Sequence, residues 1–300
     1  KMFNKLLIIG CGLIGSSILR SSLNRKIAKK IFIYEKSKKN VSKIKKINSK
    51  LIILNKLDKR ISNIDFVILS TPMSQYQNII FYLNKFLNKK SIITDVSSTK
   101  QNVLRLKNKK LSKSLDWILS HPIAGSEVSG PEFGSKNLFK NKWCILVKDR
   151  NKKKLAKVVR FWKKLGSKVI FMDPKEHDKI FAITSHLPHL ISYNLIKTAQ
   201  DFQKKHKKNI IQFSAGGLRD FSRTAASNEI MWRDVFFNNK ENMINTINMF
   251  IKNLKIFKKN IKNFDDKNLR KTLINSKKAR KQIINLKQDI SKPDFGREEV

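Results

Sequence analysis

The chain has 300 residues, 40% of them apolar and 29% charged, with two cysteines and a formal net charge of +43. That length supports a substantial core in one large or two ordinary domains, two cysteines exclude a disulfide scaffold, and the lack of 18 consecutive apolar residues excludes a spanning helix. The charge comes from 53 lysines and only 12 arginines spread along the chain, a pattern of A/T-biased codon usage rather than of the arginine forks that read nucleic acid.

An apolar run at residues 6–9 ends in glycines and reads as a buried strand. A helix is expected over 16–25, a strand over 31–34 ended by Glu35, a basic helix over 37–48 and a weak strand over 51–54. Residues 66–69 form a clear strand closed by Ser70-Thr71-Pro72. Helical spacing follows over 75–87, then a strand over 92–94 that ends at Asp95. Residues 117–119 lead to His121, and strands at 143–147 and 169–171 flank a helix over 155–165. The alternation predicts an α/β fold with a largely parallel sheet covered by helices on both faces. Beyond Asp173-Pro174 only helices are expected: 177–200 with a kink at Pro188, then 229–237, 241–257 and 265–286, with the last dozen residues frayed. The reading is an α/β domain over 1–172, an all-helical domain over 173–290 that pairs with a second copy, and a tail over 291–300.

Gly10-Cys11-Gly12-Leu13-Ile14-Gly15 is a G-x-G-x-x-G between a strand and a helix, the setting of a dinucleotide-binding turn. Gly10 permits the turn, Gly12 lets the backbone approach a pyrophosphate, and Gly15 lets the helix pack closely. Leu13 and Ile14 open the helix whose N-terminus meets the phosphate charge. Glu35 would accept hydrogen bonds from the adenosine ribose and repel a 2′-phosphate, which predicts NAD in preference to NADP. Thr71 and Asp95 stand at the carboxyl ends of their strands, where open α/β sheets bind ligands, and complete the expected cofactor contacts. Cys11 reads as a small buried residue of the turn.

Residues 95–100 admit two readings, a helix capped by Ser98 or Thr99 and a polar edge of a pocket. The run from His121 to Gly130 sets a histidine behind an apolar strand, followed by small residues and Glu127. That arrangement is costly unless it lines a pocket, and histidine has the pKa of a general base near neutrality. Ser185-His186-Leu187-Pro188-His189 puts two histidines on one helix face. No further set of ligands at suitable spacing supports a metal there, and a hydrogen-bonding role in the core or between domains is the alternative. Arg219 and Arg223, four apart in the least lysine-like stretch, suit a carboxylate-bearing substrate unless they serve the helix surface or pair with Asp220.

Taken together and in this order, these segments resemble the prephenate/arogenate dehydrogenase family of tyrosine biosynthesis over about residues 5–235. His-Pro-x-Ala-Gly-x-Glu-x-Ser-Gly at 121–130 and Gly-Gly-x-x-Asp-Phe-x-Arg at 216–223 carry the resemblance, with 95–100, 185–189 and Trp232-Arg233-Asp234 in support. The glycine fingerprint is common to many dehydrogenases. The resemblance implies an N-terminal Rossmann-like domain, a C-terminal helical dimerisation domain and a cleft between them. It implies that NAD⁺ accepts a hydride while the ring carboxylate leaves as CO₂. His121 is then the base that deprotonates the ring hydroxyl, and Ser98 orients it and contacts substrate. His189 is a substrate-side histidine supported by His186. Arg223 holds a substrate carboxylate, Ser126 and Glu127 line the pocket with Glu127 ordering or gating it, and Arg219 adds attraction. The expected substrate is prephenate, with arogenate as the second choice; no metal, membrane or specific nucleic acid is expected.

The resemblance leaves no room for a fused mutase domain before residue 5 or a regulatory domain after residue 235, so feedback by tyrosine would act at the active site. With no signal segment and two cysteines that read as unpaired, the expected setting is cytoplasmic. Two other readings stand beside this one. The first is another NAD(P)-dependent hydroxy-acid or imine dehydrogenase, which needs no His121 with Ser98. The second is a non-catalytic dinucleotide- or nucleic-acid-binding protein.

Overall fold

The computed structural model describes residues 1–286, so the frayed tail expected over 291–300 lies outside the described residues. The chain divides into two compact units, one spanning Lys1–Met243 and one beginning at Ile244.

In the first unit, β1 (Phe3–Ile9), β2 (Ala28–Tyr34), β3 (Ile52–Leu54), β4 (Phe66–Leu69), β5 (Ile92–Asp95) and β6 (Asp116–Ile118) form a parallel sheet in the order β3-β2-β1-β4-β5-β6. The helices α1 (Leu13–Asn24), α2 (Lys38–Lys45), α3 (Tyr76–Phe86) and α4 (Gln101–Lys110) lie in its crossovers. Successive residues of β1 feed opposite faces. Leu6 and Ile8 join one apolar cluster with Phe66 and Trp162, and Leu7 and Ile9 join another with Tyr76 and Trp117. Burial on both faces is why this strand is an unbroken apolar run rather than an alternation. The strand order reverses between β1 and β4, which opens a crevice at their carboxyl ends.

The single sheet expected from the sequence is corrected to two. β7 (Ser120–Pro122), β8 (Trp143–Leu146) and β9 (Lys168–Phe171) form a separate sheet, with β7 antiparallel to β8 and β9 parallel to it; α5 (Lys152–Lys164) connects β8 to β9. The cause lies at Ser120. Its N–H donates to Asp95 Oδ1 at 3.2 Å, its hydroxyl donates to the Asp95 carbonyl at 2.5 Å, and its oxygen accepts the Trp162 indole N–H at 3.1 Å. These bonds occupy the end of β5 and divert the chain onto β8. His121 consequently sits inside a strand, opposite Ile145, and not in a loop.

The helical segment starts with α6 (Pro174–Phe181), capped by the Asp173 carboxylate on the N–H groups of Lys175 and Glu176. The sequence predicts one kinked helix here. Instead, Ala182–His186 form a π-helical turn before α7 (Leu187–His206). Pro188 lacks an N–H and its ring crowds the carbonyl four residues back, so the widened turn absorbs the misfit ahead of it. α8 (Gly216–Ser222) and α9 (Glu229–Asn238) follow, the latter capped by the Asn228 side chain on Met231 N–H, and then α10 (Lys240–Lys262). Polar contacts tie this segment to the sheet. Asp178 accepts the N–H groups of Lys100 and Gln101 at 2.7 and 2.9 Å, Asp234 Oδ2 accepts Ser74 N–H at 2.8 Å, and Asn102 Nδ2 donates to Asn238 Oδ1 at 3.3 Å.

The second unit contains most of α10 and α11 (Asp266–Asn285), which is capped by Asp265 on Asn268 N–H. Its exposed residues include Ile251, Leu254, Ile261 and Ile274. Among the described residues no helix is long and apolar enough to cross a membrane.

Candidate active site

The glycine turn leaves β1 and enters α1. Gly10 has φ +84°, and a Cβ there would lie 2.7 Å from the Ser70 carbonyl oxygen and 2.6 Å from Thr71 Cγ2. A Cβ on Gly15 would lie 2.2 Å from the Gly10 carbonyl oxygen, so that glycine serves the closure of the turn itself. Gly12 caps α1, with nothing within 4 Å of where its Cβ would be. No side chain caps this helix and no acid stands in its first turn, where Leu13 and Ile14 lie, so its free N–H groups and positive dipole end suit an anion. Glu35 closes the turn from β2, its carboxylate accepting Cys11 N–H and Ser37 N–H at 2.9 Å each. Burial, then Glu35, pushes the Cys11 thiol up to about 12, which leaves it protonated and unreactive. At the end of β4, the buried Thr71 Oγ1 has no hydrogen-bond partner among the described residues. An open cradle, an uncapped helix end and an orphaned hydroxyl fit a dinucleotide.

Asp95 departs from expectation. It is fully buried and paired with the equally buried Lys100 ammonium at 2.6 Å. Its oxygens also accept the Trp117 indole N–H, the Ser120 N–H and the N–H and hydroxyl of Ser97. A carboxylate with every lone pair engaged inside the core has no face for a cofactor, and its assignment as a cofactor contact is withdrawn. The cap of α4 also differs. Neither Ser98 nor Thr99 supplies it; Asp178 does, from α6, through the Lys100 and Gln101 N–H groups.

Asp178 leads to His121. The Asp178 Oδ1 atom lies 2.8 Å from His177 Nδ1, and His177 Nε2 lies 2.8 Å from His121 Nδ1. Phe181 packs against both rings, at centroid distances of 5.2 Å from His121 and 4.6 Å from His177. Burial, then His177, Lys100 and His186, holds His121 well below the usual 6.5 and therefore neutral. Among the described residues His121 Nε2 has no hydrogen-bond partner. The expectation that Ser98 orients this ring is corrected, because the bond that fixes Nδ1 comes from His177. Sequence reasoning passed over His177 and Asp178. The available signal was a His-Asp dipeptide in the first helix after the last strand, in a chain with only five histidines.

His186 is buried, with Nδ1 3.1 Å from Asn239 Nδ2, and burial lowers its pKa to about 4. His189 donates from Nδ1 to the Ser185 carbonyl at 2.9 Å and stacks on Trp232 at 3.7 Å between centroids. The two rings expected on one face both meet Trp232. Arg223 Nη1 pairs with Glu127 Oε2 at 2.5 Å, and the Ser126 hydroxyl donates to the same oxygen at 2.8 Å. This brings the 121–130 segment to the end of α8. The hydrogen bonds of Glu127, first that of its own backbone N–H, and the charge of Arg223 lower its pKa. Arg219 lies exposed on α8, outside this pair.

Residues 20–171 match the model of the prephenate dehydrogenase nucleotide-binding domain, and residues 173–275 match that of the prephenate dehydrogenase dimerization domain. A cyclohexadienyl dehydrogenase of Zymomonas mobilis is 30% identical over 93% of this chain and 96% of its own length. A prephenate dehydrogenase of Lactococcus lactis is 33% identical over 83% of this chain and 69% of its own. Among solved structures, prephenate dehydrogenase from A. aeolicus in complex with hydroxyphenyl propionate and NAD⁺ superposes with a TM-score of 0.86 and 33% identity, covering 93% of this chain and 98% of that one.

Proposed function

Because this chain belongs to the prephenate dehydrogenase family, we propose that it catalyses the NAD-dependent oxidative decarboxylation of prephenate to 4-hydroxyphenylpyruvate. The observation that carries this reading is the state of His121, a buried neutral imidazole with Nδ1 engaged and Nε2 free. NAD⁺, when bound at Gly10, Gly12, Gly15 and the first turn of α1, supplies the hydride acceptor. Glu35 receives the adenosine ribose and disfavours a 2′-phosphate, and the Thr71 hydroxyl finds its missing partner in the cofactor.

The His121 Nε2 lone pair removes the proton of the ring hydroxyl as the C–H bond on the same carbon gives up its electron pair. A ring carbonyl forms. The bond to the ring carboxylate then breaks, CO₂ leaves, and its electron pair enters the ring to make it aromatic. The resulting phenolate oxygen takes the proton back from His121, so the sum is one hydride delivered, one CO₂ released and no net proton. Alignment and a competent base are what the protein must supply, since aromatisation makes the decarboxylation downhill. Arg223 holds a substrate carboxylate, with Ser126 and Glu127 beside it and Arg219 adding positive field. His189, steadied by Trp232 and backed by His186, faces the substrate, and Ser98 contacts it.

We place the boundary between the dinucleotide and substrate domains at residues 172/173, with a homodimer formed through the helical domain. The dimerization-domain match and the exposed Phe213, Phe221, Ile251 and Leu254 support that pairing. Two free thiols fit a cytoplasmic enzyme. The test mixes purified, nuclease-treated protein with NAD⁺ and prephenate and follows the reduced-nicotinamide absorbance, then repeats with arogenate and with NADP⁺. Rapid reduction with prephenate and NAD⁺ is expected. No signal in any of the four combinations, from folded protein that binds NAD⁺, would overturn the reading.

A further inference from the structure

We propose that His177 is a positioning residue that locks His121 in its Nδ1–H tautomer, with Asp178 locking His177 in turn. The inference rests on the reading of His121 as the base and adds how that base is kept usable. A neutral histidine works as a base only through the nitrogen that lacks a proton. Free in solution, either nitrogen can carry it.

The chain of contacts decides between them. Asp178 already accepts the Lys100 and Gln101 N–H groups, and a carboxylate offers only acceptors. His177 must therefore direct its own proton from Nδ1 toward Asp178 Oδ1, 2.8 Å away. That leaves a lone pair on His177 Nε2, which faces His121 Nδ1 at 2.8 Å. Two lone pairs at that distance repel, so His121 carries its proton on Nδ1, and its lone pair is at Nε2 for substrate. The alternative is a doubly protonated His177 that donates to His121. It would place a cation in a site shared with the Lys100 ammonium and walled by Phe181. All three links are buried, and each partner comes from a different place in the chain: β7 for His121, α6 for the His-Asp pair, the start of α4 for the N–H groups that hold Asp178. A buried acceptor that is itself pinned by two backbone donors has one orientation, which is what a fixed tautomer needs.

The test uses the whole chain labelled with ¹⁵N-histidine, whose five histidines give a small spectrum. At neutral pH, His121 should show a protonated Nδ1 and a bare Nε2, identified by loss of its signals in His121→Asn. The reverse pattern in the unaltered protein would overturn the proposal. Kinetics supply the second arm. His177→Leu should lower kcat about 10²–10⁴-fold, the range between loss of general-base catalysis and a wrong-tautomer histidine, while the NAD⁺ Kd stays unchanged and the prephenate KM moves by less than about threefold. His177→Gln, whose amide oxygen can accept the His121 proton, should recover at least about tenfold of that loss. Full kcat in folded His177→Leu, while His121→Asn is inactive, would sink this inference and leave the base assignment standing. Full kcat in His121→Asn would sink the base assignment itself. If His177→Leu does not fold, the tautomer measured in the unaltered protein decides alone.

Discussion

The Lys100 ammonium and the Asp95 carboxylate lie 2.6 Å apart with neither side chain exposed to solvent. Removing one member of such a pair strands the other charge in the core. Lys100→Met should therefore cost about 3–5 kcal/mol of stability. Urea unfolding measures it, and a loss below about 1 kcal/mol would mean that Asp95 is already satisfied by Trp117, Ser120 and Ser97.

Two pH effects follow from the buried histidines. Burial first, then His177, Lys100 and His186, keeps His121 below 6.5, so the acid limb of kcat/KM for prephenate should lie below pH 6.5 with the rate falling as acid protonates the base. His186 has a folded pKa of about 4 against 6.5 unfolded, so the unfolded chain takes up this proton first. Stability should be complete above pH 6.5 and fall as the pH drops toward 4, by on the order of 3 kcal/mol from this one group. Unfolding midpoints across that range, compared with those of His186→Gln, test it. The same slope in both proteins would exclude His186 as its source.

If Arg223 holds a substrate carboxylate as proposed, Glu127, its present partner, competes with substrate for it. Arg223→Ala should raise the prephenate KM about 10–100-fold with a smaller change in kcat. The guanidinium is nearly half exposed, so solvent screens the pair. Glu127→Gln should accordingly lower KM by no more than about fivefold, and less at high salt. Initial rates at two ionic strengths separate these outcomes, and an unchanged KM in Arg223→Ala would remove it from the substrate site.

Glu35 faces the glycine turn from the end of β2. Glu35→Ser should weaken NAD⁺ binding and raise the ratio of NADP⁺ to NAD⁺ efficiency at least about tenfold, with Lys38, and Lys36 once it leaves the Gln75 side-chain oxygen, able to meet a 2′-phosphate. An unaltered cofactor ratio would show that the ribose lies elsewhere.

The parts of this molecule that follow local rules were readable from sequence. A glycine turn needs its residues at fixed spacing, and β1 buried on both faces must be an unbroken apolar run, so the parallel sheet and the turn at Gly10 were visible. The partners that packing chooses were not. From sequence, Asp95 at a strand end looks the same whether it faces a ligand or, as it does, Lys100. His121 reads as a loop residue because the strand that claims it, β8, begins only at Trp143. His177 lies 56 residues from His121, and no periodicity records that contact. Pro188 signalled irregularity, but whether a helix kinks or widens depends on what packs around it.

Asp178, Asp234 and Asn238 bolt the helical segment to α4 and to the turn after β4. A rigid swing of the helical segment away from α4 would have to break these bonds, including two to a buried carboxylate. Under the proposed substrate site, passage in and out would turn on the rotamers of Arg223 and Glu127, which exchange in roughly nanoseconds, against microseconds to milliseconds for a hinged domain. With no hinge motion in the cycle, opening and closing should add no solvent-viscosity dependence to turnover.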